Sequence, residues 1–298
     1  MSFSTDKAFS RNRGLISDHE QQRLLTQLVV IPGCGGIGST VAETLARLGV
    51  GRFRLCDPDT FDVANFNRQL GATLTTVGQN KAEAVAERIW QINPEAQIEI
   101  VNQPVSRDNA SDFVAGASLV LDGLDFFALT ARRALFKAAS DTGIPAMTAA
   151  PLGFSGTLQV FLPDRGLSFD RFYDFRAEDS SAEQVIKFLV GLSPAGLHRP
   201  YMDFSRVSIQ DKNGPSSILG TQMAASLIGG QALQLLLNRQ AVRSAPWCLQ
   251  MDVYRQKAVR RFVPGGNRFP LQKLKIALVR RAFRQNGLLG AMADLKLG

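Results

Sequence analysis

The chain has 298 residues, 45% hydrophobic and 20% charged, a composition that suits a soluble globular fold and argues against disordered or fibrous classes. Three cysteines without a C-x-x-C pair and two histidines, His19 and His198, exclude a four-cysteine zinc site and a disulfide framework, and point to the cytoplasm as the compartment. The net charge of +8 is uneven, since residues from Val253 onward carry eleven Lys/Arg against the single acid Asp294, whereas the preceding 252 residues hold 23 Lys/Arg and 25 Asp/Glu.

The N-terminus is polar and no apolar run precedes a small-residue cleavage site, so no signal peptide is expected. Residues 1–26 read as a polar lead-in and a short helix, with Ser17 as N-cap ahead of Asp18. Leu28–Ile31 is a short apolar strand that runs directly into a glycine turn. Thr40–Leu48 is helical and stops at Gly49, and Phe53–Cys56 is the next strand. Lys81–Ile92 is a helix ended by Asn93-Pro94. Ile98–Val101 and Leu119–Asp122 read as buried strands, Ala131–Ala139 as a helix and Pro145–Ala150 as a strand. This alternation predicts an α/β fold, a mostly parallel sheet with helices on both faces.

The pattern then changes. Thr157–Phe161 is strand-like, and 163–215 is irregular with one helix over Ala182–Leu189. Ile218–Leu237 is long enough to span a membrane, but Gln222, Gln231, Gln234 and Gly229-Gly230 mark it as a buried or interface helix. Cys248–Tyr254 and Ala258–Val263 form a strand pair, turning at Arg255-Gln-Lys257, that extends the sheet with antiparallel C-terminal strands. The segment after Pro264-Gly-Gly266 reads as separate, with a helix from Leu271 to Arg284. The expected division is therefore a body over 1–264 and a basic tail over 265–298. Within the body lie a nucleotide-binding core (about 27–162), a crossover segment (163–215) and a C-terminal helix and strand pair (216–264).

The chemistry concentrates between residues 33 and 81. Gly33, Gly35, Gly36 and Gly38, followed by Ser39, let phosphate approach bare amides at a helix N-terminus in a Rossmann-like strand–turn–helix. Asp57 closes the second strand, where an acid normally holds a ribose hydroxyl, and Asp59 follows two residues on. Taken alone, these features suit NAD or FAD as well as ATP. Asn65, Arg68, Gln69 and Lys81 shift the balance, because a triphosphate carries about four negative charges that Arg and Lys neutralise.

The order, spacing and flanking residues from about Arg11 to Phe161 resemble the ubiquitin-activating-type adenylyltransferases, the ThiF/MoeB/HesA superfamily. The resemblance implies that the glycine loop with Ser39, Asp57 and Asp59 binds ATP, that Asn65, Arg68, Gln69 and Lys81 line the phosphates, and that Asp125 of Asp122-Gly-Leu-Asp125 holds Mg²⁺. It also implies a homodimer with shared active sites, in which Arg11 of Phe9-Ser10-Arg11, or else Arg13, reaches the partner's phosphates. The reaction implied is ATP-dependent adenylation of a carboxylate with release of pyrophosphate. The usual substrate is the C-terminal glycine of a small ubiquitin-like or sulfur-carrier protein.

Departures from that pattern matter. Phe126 stands where the family has an asparagine beside the metal ligand, and 163–215 holds no cysteine for a thioester. Cys34, Cys56 and Cys248 are expected as packed small hydrophobes rather than nucleophiles. The aromatic stretch Phe169–Phe175 either lines a substrate tunnel or packs on the body. A second reading within the superfamily resembles the enzymes that adenylate and cyclise a tRNA threonylcarbamoyladenosine carboxylate. The basic tail suits tRNA, an anionic lipid surface or a protein partner, and equally reads as no more than a solvated helix on the body. Readings of other classes are an NAD-dependent oxidoreductase and a non-catalytic scaffold subunit.

Overall fold

A computed structural model describes residues 3–203, 214–239, 242–285 and 297, so the later part of the expected crossover segment and most of the tail beyond 285 lie outside the described residues. After α1 (Thr5–Ala8) and a 3-10 turn over Ser10–Asn12, α2 (Asp18–Thr26) opens on a capping box. The Ser17 hydroxyl accepts from the Glu20 amide at 3.3 Å, and the Ser17 amide donates to the Glu20 carboxylate at 2.8 Å.

Three parallel repeats of strand and helix follow: β1 (Leu28–Pro32) with α3 (Gly36–Arg47), β2 (Arg52–Cys56) with α4 (Lys81–Ile92), and β4 (Leu119–Asp122) with α6 (Leu129–Asp141). Between the last two lie β3 (Gln97–Ile100) and α5 (Ala110–Val114), and β5 (Ala146–Thr148) completes the parallel set. The chain then reverses through β6 (Pro151–Leu152) into β7 (Ser155–Phe161), antiparallel to β5 with Met147 opposite Val160. Helices α7 (Phe169–Tyr173), α8 (Ser181–Leu192) and α9 (Ile218–Leu237) precede the hairpin β8 (Trp247–Asp252) and β9 (Lys257–Phe262), and α10 (Pro270–Gln285) follows it. The strand order is β3-β2-β1-β4-β5-β7-β8-β9, with β6 beside β7.

Every residue of β1 is buried because both faces of the sheet are covered. Val29 and Ile31 point to one core with Val41, Leu45, Ile89 and Ile228, which come from α3, α4 and α9. Leu28 and Val30 point to the other, with Phe136 of α6, Phe172 of α7 and Phe188 of α8. The amide-bearing helix α9 lies on β7 so closely that a Cβ at Gly156 would stand 2.5 Å from the Ala224 nitrogen. Among the described residues no helix is long and apolar enough to cross a membrane.

Three expectations need correction. β3, expected as a buried strand, is the sheet's edge, pairs only with β2 and alternates exposed with half-buried positions. Helix α3 starts at Gly36 rather than Thr40, so the glycines themselves form its first turn. The segment after Pro264-Gly-Gly266 is seated on the body: Ile276 of α10 packs with Ile186 and Val190 of α8, and Arg280 pairs with Glu183 at 2.6 Å. The open question about Phe169–Phe175 is resolved too. Phe169, Phe172 and Tyr173 are core residues, and Asp170 is clamped by Arg133 at 2.6 Å, so this stretch packs on the body.

Candidate functional site

Parallel strands bring their C-terminal ends to one edge, and the expected residues meet there. Gly33 has φ of +86°, and a Cβ on it would stand 2.1 Å from the Gly123 carbonyl oxygen. A Cβ on Gly38 would stand 1.7 Å from the Gly33 oxygen, so only hydrogen at these positions lets the β1 turn, the start of α3 and the end of β4 touch. Ser39 is buried in the first turn of α3, its hydroxyl donating to the Gly35 carbonyl at 2.5 Å.

Asp57 ties the turn to β2. One carboxylate oxygen accepts from the Cys34 amide at 2.7 Å and the other from the Asp59 amide at 2.9 Å. Burial pushes this carboxyl above its ordinary range, while the two amide bonds pull it down. Asp59 in turn receives the Lys81 ammonium at 3.1 Å. Lys81 is 8% exposed at the first position of α4, whose N-terminus Asn80 caps by accepting from the Ala82 and Glu83 amides.

The Asn65–Gln69 segment closes over the glycines. A Cβ on Gly36 would lie 3.3 Å from the Arg68 carbonyl, and one on Gly35 would lie 3.6 Å from the Gln69 side chain. Arg68 is half-buried and donates through Nη1 to Ala64 and Asn67. The Asn65 amide oxygen accepts from the Asp62 amide at 3.1 Å in a local capping box, which leaves its NH₂ as the group for a ligand. Gln69 is 8% exposed, and its buried Oε1 has no donor among the described residues. An orphaned acceptor costs about 1–3 kcal/mol, and a ribose hydroxyl or adenine amine would satisfy it. That atom, the bare glycines and Lys81 fit ATP.

At the end of β4, Asp125 is exposed and accepts from the Phe127 amide at 2.9 Å. No group of three or more His, Cys, Asp or Glu side chains suited to a metal occurs among the described residues. The fit to Mg²⁺ is therefore that of one carboxylate sharing the ion with substrate phosphates, a common arrangement for this ion. Phe126 packs against Phe127 and Phe188.

Arg11 stands elsewhere. Its neighbour Asn12 donates to the Leu48 carbonyl at 3.3 Å, beyond the C-terminus of α3. A helix of 12 residues is roughly 18 Å long, so Arg11 lies far from its own chain's glycine turn. Arg13 pairs with Asp18 at 3.4 Å in the same region. A cavity of about 470 Å³ at that opposite edge is lined by Phe9, Arg47, Arg88 and Ile92. Arg47 and Arg88 share the single Glu43 carboxylate there, at 2.8 and 2.6 Å.

Several parts of the site carried no motif. Arg132 of α6 is 3% exposed, pairs with the equally buried Asp122 at 2.7 Å, and donates to the carbonyls of Leu124, Asp125 and Phe126. It thereby pins the loop that carries Asp125. The N-terminus of α9 also reaches the edge: Thr221 faces Gly36, and Ser217 donates to the Gly153 carbonyl at 2.7 Å.

The thiols are all buried. Burial first, then the Asp57 charge, pushes Cys56 up to about 11, burial pushes Cys248 up to about 12, and burial holds Cys34 well above its usual value. All three stay protonated at pH 8 in the native protein. The expected result is that a thiol reagent at pH 8 labels none of them until urea unfolds the chain; fast labelling of Cys248 in the native state would mark it as reactive.

The ThiF family profile matches residues 9–272. The chain is 40% identical over 126 residues to tRNA threonylcarbamoyladenosine dehydratase of Escherichia coli strain K12, covering 42% of this chain and 46% of that protein. It is 35% identical over 143 residues to the sulfur carrier protein ThiS adenylyltransferase of the same strain, covering 48% and 56%. The matched part thus spans about half the length of these curated relatives. The solved structure of PaaA superposes with a TM-score of 0.67 at 21% identity, over 88% of this chain and 84% of that one, a likeness of fold.

Proposed function

Because this chain belongs to the ThiF family, we propose that its strand-end cradle binds ATP and adenylates a carboxylate, releasing pyrophosphate. The observation that carries this reading is Lys81, a nearly buried cation at a helix N-terminus beside the glycine turn, whose one ion pair among the described residues is to the largely exposed Asp59. An incoming phosphate can take the ammonium from Asp59, which water then solvates, while Asp57 keeps its bonds to the Cys34 and Asp59 amides.

Lys81 and Arg68 neutralise the α- and β-phosphates, the bare amides of Gly35, Gly36 and Gly38 approach the phosphate chain, and Asp57 and Gln69 hold the nucleoside. Asp125 would hold Mg²⁺, which supplies further neutralisation of the phosphate charge. Catalysis is then in-line placement of the carboxylate plus fixed positive charge. Arg11, remote from its own cradle, fits a contribution to a second copy in a homodimer.

Two substrates suit the site, the C-terminal glycine of a small sulfur-carrier or ubiquitin-like protein and a carboxylate on a tRNA nucleoside. Packing of Phe169–Phe175 into the core removes one support for a peptide tunnel. Ten Lys/Arg and no acid between residues 253 and 285 favour the tRNA carboxylate. Pyrophosphate release screened against bulk tRNA and diglycine-ended carrier proteins tests both, and release with neither removes the adenylation reading.

Nucleotide choice is tested more simply. Mg-ATP at a hundred times its Kd is expected to stabilise the fold by about 2.7 kcal/mol, raising Tm by roughly 5–10 °C, while NAD leaves Tm unchanged. Protection by NAD alone would restore the oxidoreductase reading.

A further inference from the structure

One face of the sheet beyond β7 combines cations that have no ion pair among the described residues with an aromatic cluster topped by the exposed Tyr254. On β8, Gln250 meets the crossover segment through the Leu197 amide and His198, and Asp252 accepts from the Tyr201 hydroxyl at 2.7 Å. Lys257, Val259 and Arg261 of β9 lie directly opposite Asp252, Gln250 and Cys248, so they share that face. Arg255 joins them, donating to the Leu197 carbonyl at 3.0 Å, and so does Lys275 of α10, which donates to the Pro194 carbonyl at 2.6 Å. Arg199 completes the group from the crossover segment: burial, then the charges of Arg261 and Arg199, pushes the Lys275 amine below the usual lysine range.

Of the ten cations over 253–285, Arg268 pairs with Asp174 and Arg280 with Glu183. No ion pair joins Arg199, Arg255, Lys257, Arg261 or Lys275 to an acid among the described residues. Asp252, buried on the same face and held by the Tyr201 hydroxyl and the Arg255 amide, offsets one of these five charges, and the excess favours an anion.

Rings crown the column at the end nearer the nucleotide cradle. Phe154, Tyr201 and Tyr254 stand with centroids 5.3–5.5 Å apart, and Tyr254 is 67% exposed at the β8–β9 turn. Because β7 is antiparallel to β5, and β8 to β7, the start of β7 and the end of β8 share the edge that holds Gly33, Asp57 and Asp125. The bridge between is continuous: Asn67 donates to the Ser216 carbonyl at 3.0 Å, and Ser217 to that of Gly153.

We propose that this face docks RNA, its phosphates on the column of Arg199, Arg255, Lys257, Arg261 and Lys275 and an unpaired base on the Phe154–Tyr201–Tyr254 rings. The inference rests on the adenylation reading for what happens at the far end of the edge, where an RNA-borne carboxylate meets ATP. Cations alone would suit an acidic protein equally; the exposed Tyr254 ring, backed by the half-buried Phe154 and Tyr201, favours RNA, because every base offers a face for stacking.

The test is binding of unmodified bulk tRNA to the full chain, followed by fluorescence anisotropy across a KCl titration. The affinity of the unaltered protein is expected to fall steeply with salt. The triple variant Arg199→Ala, Lys257→Ala, Arg261→Ala is expected to bind at least tenfold more weakly, with the log–log salt slope flattened by about 2–3. Tyr254→Ala is expected to lose roughly 5- to 100-fold in affinity at unchanged slope. All variants should keep their thermal shift with Mg-ATP, which shows that they fold. No tRNA binding by the unaltered chain at 50 mM KCl, or a triple variant that binds like it, overturns the proposal. So does polyglutamate that competes as well as tRNA, which would make this an acidic-protein surface. A chain that binds tRNA in this pattern yet shows no shift with Mg-ATP upholds the docking face and sinks the adenylation reading alone.

Discussion

Lys81→Ala is expected to lower carboxylate-dependent pyrophosphate–ATP exchange by about 10²- to 10³-fold, the loss seen when one fixed donor to a developing oxyanion is removed. The geometry makes the loss electrostatic rather than structural. Lys81 sits at the first position of α4, and Asn80 caps that helix whatever follows it. Its ion-pair partner Asp59 is largely exposed, and Asp57, which feels the same positive charge, keeps its two amide donors, so the urea midpoint should fall only modestly. Asp59→Ala gives the contrast, because it frees the ammonium and leaves it in place. That variant should lose clearly less exchange than Lys81→Ala, because whatever Asp59 contributes to ATP binding goes while the ammonium stays. Lys81→Ala with unchanged exchange, or Asp59→Ala with as great a loss, would remove the ammonium from the reaction.

Apolar runs made the sheet legible. β4, α4 and α9 fall on the residues that their patterns and caps predict, and the glycine turn with Asp57, Arg68, Gln69 and Lys81 gathers at one edge as their order implies. The short elements α5, β6 and α7 were not legible, because they carry neither a period nor the continuous apolar run that marks the equally short β4. β3 misled for a different reason. Its Gln97-Ile-Glu-Ile100 alternation is that of a strand with one solvated face, a signal that the apolar reading of Ile98–Val101 passes over, and the strand order puts it at the edge. The start of α3 was hidden by its glycines, which lower helix propensity while permitting the close contact with Gly123. α10 reads as a separate basic helix until Ile186 and Val190 of α8 supply the surface that Ile276 covers. Arg132 carries no signal at all. An arginine inside a helical pattern is ordinary, and only the tertiary structure places it beneath three loop carbonyls.

Arg132 therefore supports the second large expectation, in which stability and positioning separate. Arg132→Met leaves Asp122 charged, buried and unpaired, and should cost about 3–5 kcal/mol in urea unfolding. Asp122 would keep the Thr148 hydroxyl at 2.7 Å and the Leu124 amide at 3.1 Å, but neither neutralises it. Adding Asp122→Asn removes the buried charge, keeps one oxygen as acceptor for the Leu124 amide and turns an NH₂ donor toward the Thr148 hydroxyl, which can accept, so the double variant should recover at least half of the lost stability. It should not recover exchange. The carbonyls of Leu124, Asp125 and Phe126 lose their common donor, and the guanidinium stacked 4.7 Å over the Phe188 ring no longer fixes the loop against α8. Asp125 then samples positions away from the phosphates, which should appear as a higher Mg-ATP requirement together with a lower maximal rate. A double variant that regained both stability and exchange would reduce Arg132 to a partner for Asp122. Regained stability with exchange still depressed assigns it the task of aiming the Asp125 loop.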